Sequence, residues 1–182
     1  MNEFQWTLLI IVVILMSWML GAYNRLQRMR GQIGQAVQQI DEPLRRRDEL
    51  LAGLMTLLRS VDHGIDPHTL QAVDEAGSAL VTAANALKAK PCGAEPPVRL
   101  AVSEVGLQAV LSELIGRIEH EPTLRLMPGM LERLAGISEA ERRLRFGRQL
   151  YNEAVKAYNQ ALGEWPTRLL QRLYGLEEAA AI

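Results

Sequence analysis

Residues 4–22 read FQWTLLIIVVILMSWMLGA, and this stretch decides how the rest of the chain is arranged. Only Gln5, Thr7 and Ser17 within it are clearly polar. Nineteen residues of helix, at about 1.5 Å per residue, span roughly 28 Å, which matches the roughly 30 Å hydrocarbon core of a bilayer. A helix also satisfies its own backbone hydrogen bonds in lipid. We predict a single transmembrane anchor from Phe4 to Ala22.

Two alternatives exist for this stretch. A cleaved signal peptide would begin with a basic region and end at a small-x-small site. This chain instead has Glu3 before the apolar run, and no Ala-x-Ala precedes Tyr23. A buried core helix is disfavoured because the run from Leu8 to Leu20 is interrupted only by Ser17 and would be apolar all round. We therefore expect the stretch to be retained as an anchor.

Three arginines predict the orientation of the anchor. Arg25, Arg28 and Arg30 follow the span, and no acidic residue occurs between them and Asp41. The positive-inside rule then places the amino terminus outside and the carboxy-terminal part in the cytoplasm. The same three arginines lie within one or two helical turns of the bilayer, so we expect them to contact anionic lipid headgroups.

Composition excludes several classes of function. The chain has 20 Lys and Arg against 21 Asp and Glu, which leaves no strongly basic face for nucleic acid. The single Cys92 excludes an intramolecular disulfide and a cysteine-rich metal site. The three histidines lie in or beside predicted breaks, and no His-Glu-x-x-His is present. We expect no enzymatic activity, no cofactor, no metal and no small-molecule substrate.

The remainder, residues 23–182, is predicted to be one all-α domain: an elongated, antiparallel, up-and-down helical bundle that continues from the transmembrane helix. After the membrane span, apolar residues continue in a heptad pattern, which we call the heptad seam. Pro43 and Arg47 occupy two positions of this seam, so we expect a kink or a restart near Asp41–Pro43. The apolar members of the seam are Leu26, Met29, Ile33, Ala36, Ile40, Leu51, Leu54, Leu58 and Val61.

Breaks in the pattern divide the remaining chain. Asp62-His63-Gly64 predicts the end of the first helix, and Asp66-Pro67 predicts the start of the second. The segment 88–97 is rich in proline and is predicted to be a loop. A third helix is expected over 98–119, a fourth from Pro128 to Trp165-Pro166, and then an amphipathic tail. Residues predicted to face inward include Leu70, Val73, Leu80, Val81, Val102, Val105, Ala109, Leu111, Leu114, Leu131, Leu144, Tyr151 and Tyr158; the tail carries Leu169, Leu170, Leu173, Tyr174 and Leu176.

Two Tyr-Asn pairs stand seven residues apart, Tyr151-Asn152 and Tyr158-Asn159. The spacing is two helical turns, so the rings share one stripe and the amides share another. One interpretation makes them a recognition surface for a partner. The other places the tyrosines in the bundle with their hydroxyls at its edge, while the amides bond neighbouring helices. The second interpretation is favoured, since a buried tyrosine hydroxyl usually finds a partner.

Arg45, Arg46 and Arg47 point in three directions around a helix and cannot form one flat patch. If the helix is straight they lie roughly 33–36 Å beyond Tyr23, too far to reach lipid headgroups. We favour a structural role, in which one of them pairs with an acid on a neighbouring helix, over ligand binding.

Several of these strings occur together in one known family. Tyr23-Asn24-Arg25-Leu26 follows the span, Ile40-Asp41 precedes 44–50 (LRRRDEL), and 151–159 reads YNEAVKAYN. In this order the strings resemble the LemA family of bacterial membrane proteins. The chain departs from the family pattern at Pro43, in 51–54 (LAGL) and in the tail at 173–176 (LYGL). The resemblance implies an anchored, elongated helical bundle at a bacterial inner or plasma membrane, and a membrane metalloprotease is sometimes discussed as a functional companion of the family.

Our leading functional hypothesis is a non-enzymatic membrane-anchored scaffold that binds the bilayer, itself as a homo-oligomer, and other proteins. The alternative is an accessory subunit or adaptor for a membrane enzyme such as a protease, acting through the Tyr-Asn helix and the tail.

Overall fold

A computed structural model describes residues 3–60, 65–165, 167, 168, 171 and 175–182. These residues form five helices and no strand, which confirms the all-α prediction. The final segment, 176–182, has no regular secondary structure. The predicted stop at 62–64 and most of the predicted tail, including Leu169, Leu170, Leu173 and Tyr174, lie outside the described residues. The helices are α1 (Glu3–Arg59), α2 (Pro67–Ala89), α3 (Glu95–His120), α4 (Pro122–Arg125) and α5 (Met130–Gly163).

Helix α1 runs without a break for 57 residues and contains Pro43 in its interior. The predicted restart is therefore wrong, whereas the alternative, a kink within one continuous helix near Pro43, stays a prediction. Pro43 lacks the N–H that would bond to the carbonyl of Gln39, but Ile40 and Leu44 beside it are buried in the core. Packing of this face offsets the missing hydrogen bond, because tertiary contacts supply most of a helix's stability. Asp41 does not cap a new helix; its carboxylate accepts a hydrogen bond from Lys88 at 2.9 Å.

The environment of α1 changes along its length. Side chains 4–18 are all exposed, and this part of the helix is long and apolar enough to cross a membrane. From Leu26 onward, α1 buries a residue at almost every turn, as the predicted seam requires. One helix thus carries both the candidate membrane span and a central part of the bundle core. The fully buried seam residues are Leu26, Ile33, Ile40, Leu54 and Leu58.

Contacts between α1 and α5 establish that the two helices are antiparallel. Arg25 pairs with Glu164 at 3.3 Å, and further along α1 the backbone of Gln39 lies against Gly147. The approach at Gly147 is close: an added Cβ would lie 2.6 Å from the carbonyl oxygen of Gln39. Glycine at this position lets the two backbones pack together.

Helix α2 returns alongside α1, with Lys88 bonded to Asp41 at one end and Arg59 to Asp74 at the other. Helix α3 packs on α2. No Cα atom of α3 lies within 8 Å of a Cα atom of α5, so the two are separated by a groove. The result is the predicted antiparallel up-and-down arrangement, with α1 and α5 as one pair and α2 and α3 as the other.

Helix starts follow local chemistry. The side chain of Asp66 accepts a hydrogen bond from the backbone N–H of His68 at 3.0 Å, so the predicted cap of α2 is confirmed. Helix α3 begins at Glu95, earlier than predicted, because Pro96 and Pro97 fit in a first turn, where no backbone N–H is needed. The short α4 was not predicted, and α5 begins at Met130, after Gly129.

The predicted inward face of α3 is partly wrong. Val102 and Val105 are 67% and 71% exposed, and Ala109 is also exposed. The core positions belong instead to Leu100 and Leu107, together with the predicted leucines that follow. Both faces of α3 carry apolar residues at helical spacing, so periodicity alone does not identify the buried one. Val81 and Leu131 were also predicted inward and are exposed.

Candidate functional site

The two predicted tyrosines lie on α5 in the bundle core. Tyr151 and Tyr158 are 0% and 1% exposed. The hydroxyl of Tyr151 lies 2.9 Å from the carbonyl oxygen of Pro91 and 3.2 Å from that of Ala180, and its single proton serves both. The hydroxyl of Tyr158 donates to the carbonyl of Glu177 at 3.2 Å. Burial raises the pKa of both phenols, so they remain neutral donors at physiological pH.

The two asparagines bind the backbone of the carboxy-terminal segment. Asn159 donates to the carbonyl of Ala179 at 2.8 Å and accepts from its N–H at 3.0 Å. Asn152 makes the same pair of bonds with Ile182, both at 2.9 Å. Each side-chain amide therefore makes the same pair of backbone hydrogen bonds that a residue of a neighbouring strand makes in an antiparallel sheet.

The spacing of the two elements explains why both amides can bind. Two helical turns separate Asn152 from Asn159, a rise of about 10.5 Å. Three residues of extended chain separate Ala179 from Ile182, and cover about 10 Å. The helix and the segment 176–182 are thus in register. We call Tyr151, Asn152, Tyr158 and Asn159 the Tyr-Asn ladder.

The ladder follows the favoured interpretation in part. The rings fill the bundle, as favoured, but the amides bind the chain's own carboxy-terminal segment and not a neighbouring helix. A recognition role for a separate protein stays a prediction, since the partner of both amides in this structure is segment 176–182. Sequence reasoning missed this partner because 177–182 reads EEAAAI, which carries no helical or strand periodicity. Its small residues allow the backbone to approach α5 closely, and Ala179 is buried there.

The three consecutive arginines separate as predicted. Arg45 and Arg46 are exposed and reach Glu49 on the same helix, at 4.0 and 3.4 Å. Arg47 instead points into the bundle and is only 4% exposed.

The environment of Arg47 is poor in partners. Its Nη2 atom is buried and has no hydrogen-bond partner among the described residues. Glu104 on α3 faces it, but that carboxylate pairs with Arg148 at 2.6 Å. Glu141 contributes a further negative charge nearby. Desolvation nevertheless dominates and lowers the pKa of Arg47. The expected ion pair between one of these arginines and a neighbouring helix is therefore not formed by Arg47.

Two cavities meet at Arg47. One has a volume of about 470 Å³ and lies in the groove between α3 and α5; we call it the arginine cavity. The other, of about 240 Å³, lies between α1 and α2 and has mainly apolar walls that include Leu51 and Leu80. The ionisable and amide side chains of the arginine cavity are Arg47, Glu104, Gln108, Glu141, Arg145 and Arg148.

The membrane-proximal arginines occupy three different settings. Arg25 forms its ion pair with Glu164, although both side chains remain about half exposed. Arg28 is exposed. Arg30 is exposed at the rim of a cavity of about 180 Å³ that also contacts Tyr158 and Cys92. Their contact with lipid headgroups stays a prediction, and Arg25 has a protein partner as well.

The exposed valines of α3 form a line along the outside of the bundle. Val98, Val102 and Val105 are 52%, 67% and 71% exposed, at spacings that keep them on one face of the helix. We call them the valine stripe. Val105 is also part of the wall of the arginine cavity.

The described residues contain no group of three or more His, Cys, Asp or Glu side chains positioned to hold a metal ion. Comparison with known proteins is informative at the family level. The sequence profile of the LemA family matches residues 36–182, which is most of the chain. The protein therefore belongs to the LemA family. A search of curated proteins gives no match.

Proposed function

We propose that this LemA family protein is a membrane-anchored, non-enzymatic scaffold that self-associates, with its helical bundle in the cytoplasm. The observation that carries the proposal is the continuity of α1. The same helix is apolar and exposed over residues 4–18 and is buried in the bundle from Leu26 onward. No flexible linker separates the two parts, so the bundle has a fixed position relative to the anchor.

The valine stripe supports self-association. Exposed apolar residues in a continuous line favour a protein contact more than scattered ones do. A second copy of this chain is the occupant we propose. Copies in one membrane share the same orientation and a high effective concentration, which strengthens a contact that would be weak in solution. Their α3 helices would face one another at the same height above the bilayer.

Disulfide crosslinking in membranes tests this contact. We propose Val102→Cys in a Cys92→Ser background, oxidised in isolated membranes. We expect disulfide-linked dimers, because a symmetric contact through the stripe brings the two Val102 positions together. Thr82→Cys is the matched control, since Thr82 is exposed on α2 away from the stripe.

The outcome separates the scaffold from the adaptor. Dimers from Val102→Cys but not from Thr82→Cys support self-association. Adducts with one foreign membrane protein and no dimer support the adaptor instead. An absence of dimers, or equal yields at both positions, refutes self-association through the stripe.

The anchor and its orientation need separate measurements. Removal of residues 4–22 should release the protein from membranes, whereas the full chain should resist extraction by salt and by alkaline carbonate. A reporter fused after Ile182 should be active only in the cytoplasm. Activity only on the opposite side would refute the proposed orientation and leave the anchor intact.

A further inference from the structure

Arg47 occupies a position where an apolar residue would be expected. It continues the buried series Ile33, Ile40 and Leu54 along α1, one heptad after Ile40 and one before Leu54. Taking a guanidinium out of water is costly unless other groups satisfy its charge and its donors. A side chain such as methionine would fill this space without that cost. The arginine therefore requires an explanation beyond packing.

The neighbouring acids only partly compensate Arg47. Glu104 is buried and pairs closely with Arg148, and Arg47 forms no ion pair with either glutamate. Among the side chains that line the arginine cavity, three arginines, Arg47, Arg145 and Arg148, stand against these two glutamates, an excess of one positive charge. Asp48 adds a negative charge near Arg47 but does not line the cavity. An excess positive charge beside a buried donor without a partner favours an anion in the cavity.

The size and walls of the cavity fit a small ligand. Its volume of about 470 Å³ lies within the range of known ligand sites, roughly 300–1,000 Å³. Val105, Ala109 and Leu144 supply apolar wall, and Gln108 supplies a polar group. The Glu104–Arg148 pair bridges the groove between α3 and α5. A ligand in this cavity would contact α1, α3 and α5 and would fill the space between them.

We propose that the arginine cavity binds a small molecule carrying a carboxylate or phosphate group, with Arg47 as its buried cation. The guanidinium binds such oxyanions through two parallel N–H···O bonds. Arg148 at the side of the cavity completes the positive surface. The scaffold would then carry a small-molecule site about 36 Å beyond Tyr23, measured as helical rise along α1. At this distance the site would not contact lipid headgroups. This goes beyond the scaffold function and does not depend on self-association.

Calorimetric titration of the full chain in a non-ionic detergent tests the site, with inorganic phosphate and succinate as probes at constant ionic strength. We expect one molecule of at least one probe to bind per chain. Arg47→Met should weaken that binding at least tenfold. Arg46→Met is the matched control, because Arg46 is exposed and only contacts Glu49, and it should change binding less than twofold.

A second pair of variants does not alter the core. Val105→Glu adds a carboxylate to the wall of the cavity and should weaken binding at least fivefold through repulsion. Val98→Glu makes the same change outside the cavity and should have little effect; both positions belong to the valine stripe, so any change in self-association is common to them. This pair of variants tests the proposed site even if the Arg47→Met variant does not fold. Failure of both probes to bind, or binding that is unaffected by both Arg47→Met and Val105→Glu, overturns the proposal.

Discussion

The Tyr-Asn ladder predicts that the change Asn159→Asp will release the carboxy-terminal segment. Aspartate has the same shape as asparagine, so it can still accept from the N–H of Ala179, which lies 3.0 Å from Oδ1. The other side-chain atom, however, changes from a donor to an oxygen that faces the carbonyl of Ala179 at 2.8 Å. One attractive contact becomes a repulsive one.

The magnitude follows from these two bonds. Removing the donor leaves the facing carbonyl without a hydrogen bond, which costs about 1–3 kcal/mol. The docking free energy of segment 176–182 should therefore fall by about 1–3 kcal/mol. The bundle itself should remain folded, since its core does not depend on Asn159.

Hydrogen exchange measured by mass spectrometry reports on this docking directly. At about 1.4 kcal/mol per factor of ten, protection of the amides in 176–182 should fall roughly 5-fold to 150-fold. Protection in α2 should be unchanged. Asn85→Asp is the control, because Asn85 is exposed on α2 and does not contact the segment. Unchanged protection in Asn159→Asp, or an equal loss in Asn85→Asp, would show that the amide does not hold the segment.

Three further predictions concern α1 and α5. Gly147→Ala should lower the free energy of unfolding by about 1–3 kcal/mol, because the new Cβ collides with the backbone of Gln39. Gly116→Ala has no atom within 4 Å of its new Cβ and should stabilise α3 by roughly 0.5–1 kcal/mol. Urea titration of both variants measures the difference. In the double variant, Pro43→Ala should reduce the loss of unfolding free energy caused by Gly147→Ala by about 0.5–3 kcal/mol. A double-mutant cycle measures this coupling between the two positions, and strictly additive effects would contradict it. Burial raises the pKa of Tyr151, so the unfolded chain loses this proton first; the contribution of Tyr151 to the unfolding free energy should be constant below about pH 10 and fall as pH rises above it, and Tyr151→Phe should make the alkaline loss of stability shallower in urea titrations.

The sequence predicts those features that depend on local patterns. Apolar runs, proline breaks and the Asp66 cap predict the four long helices and their order, but they miss the short α4 and the early start of α3. The buried positions of Tyr151 and Tyr158 also follow from periodicity. The sequence placed the valine stripe on the inward face of α3, which is wrong. Val102 and Leu100 lie on different faces of α3, and each belongs to a series of apolar residues at helical spacing. Only contact with α2 decides which of these two faces is buried, and that contact is not encoded locally.

The ladder and the arginine cavity depend on contacts between distant parts of the chain. Nothing near Ala179 or Ile182 indicates that two amides on α5 will bind their backbones. Arg47 was visible as a charge in an apolar seam, and the sequence favoured an ion pair with a neighbouring helix for one of the three consecutive arginines. The structure shows that Arg148 takes Glu104 instead, and competition between two arginines for one acid cannot be inferred from spacing.

The continuity of α1 has a related cause. Pro43 leaves the carbonyl of Gln39 without its helical N–H donor, and a proline ring inside a helix generally crowds the carbonyl four residues earlier. Gly147 lies directly opposite that carbonyl, where any side chain would collide with it. The proline on α1 and the glycine on α5 are therefore complementary, and their contact keeps the helix packed where a break was expected. Because α1 remains one helix, no loop separates the candidate membrane span from the level of Arg47.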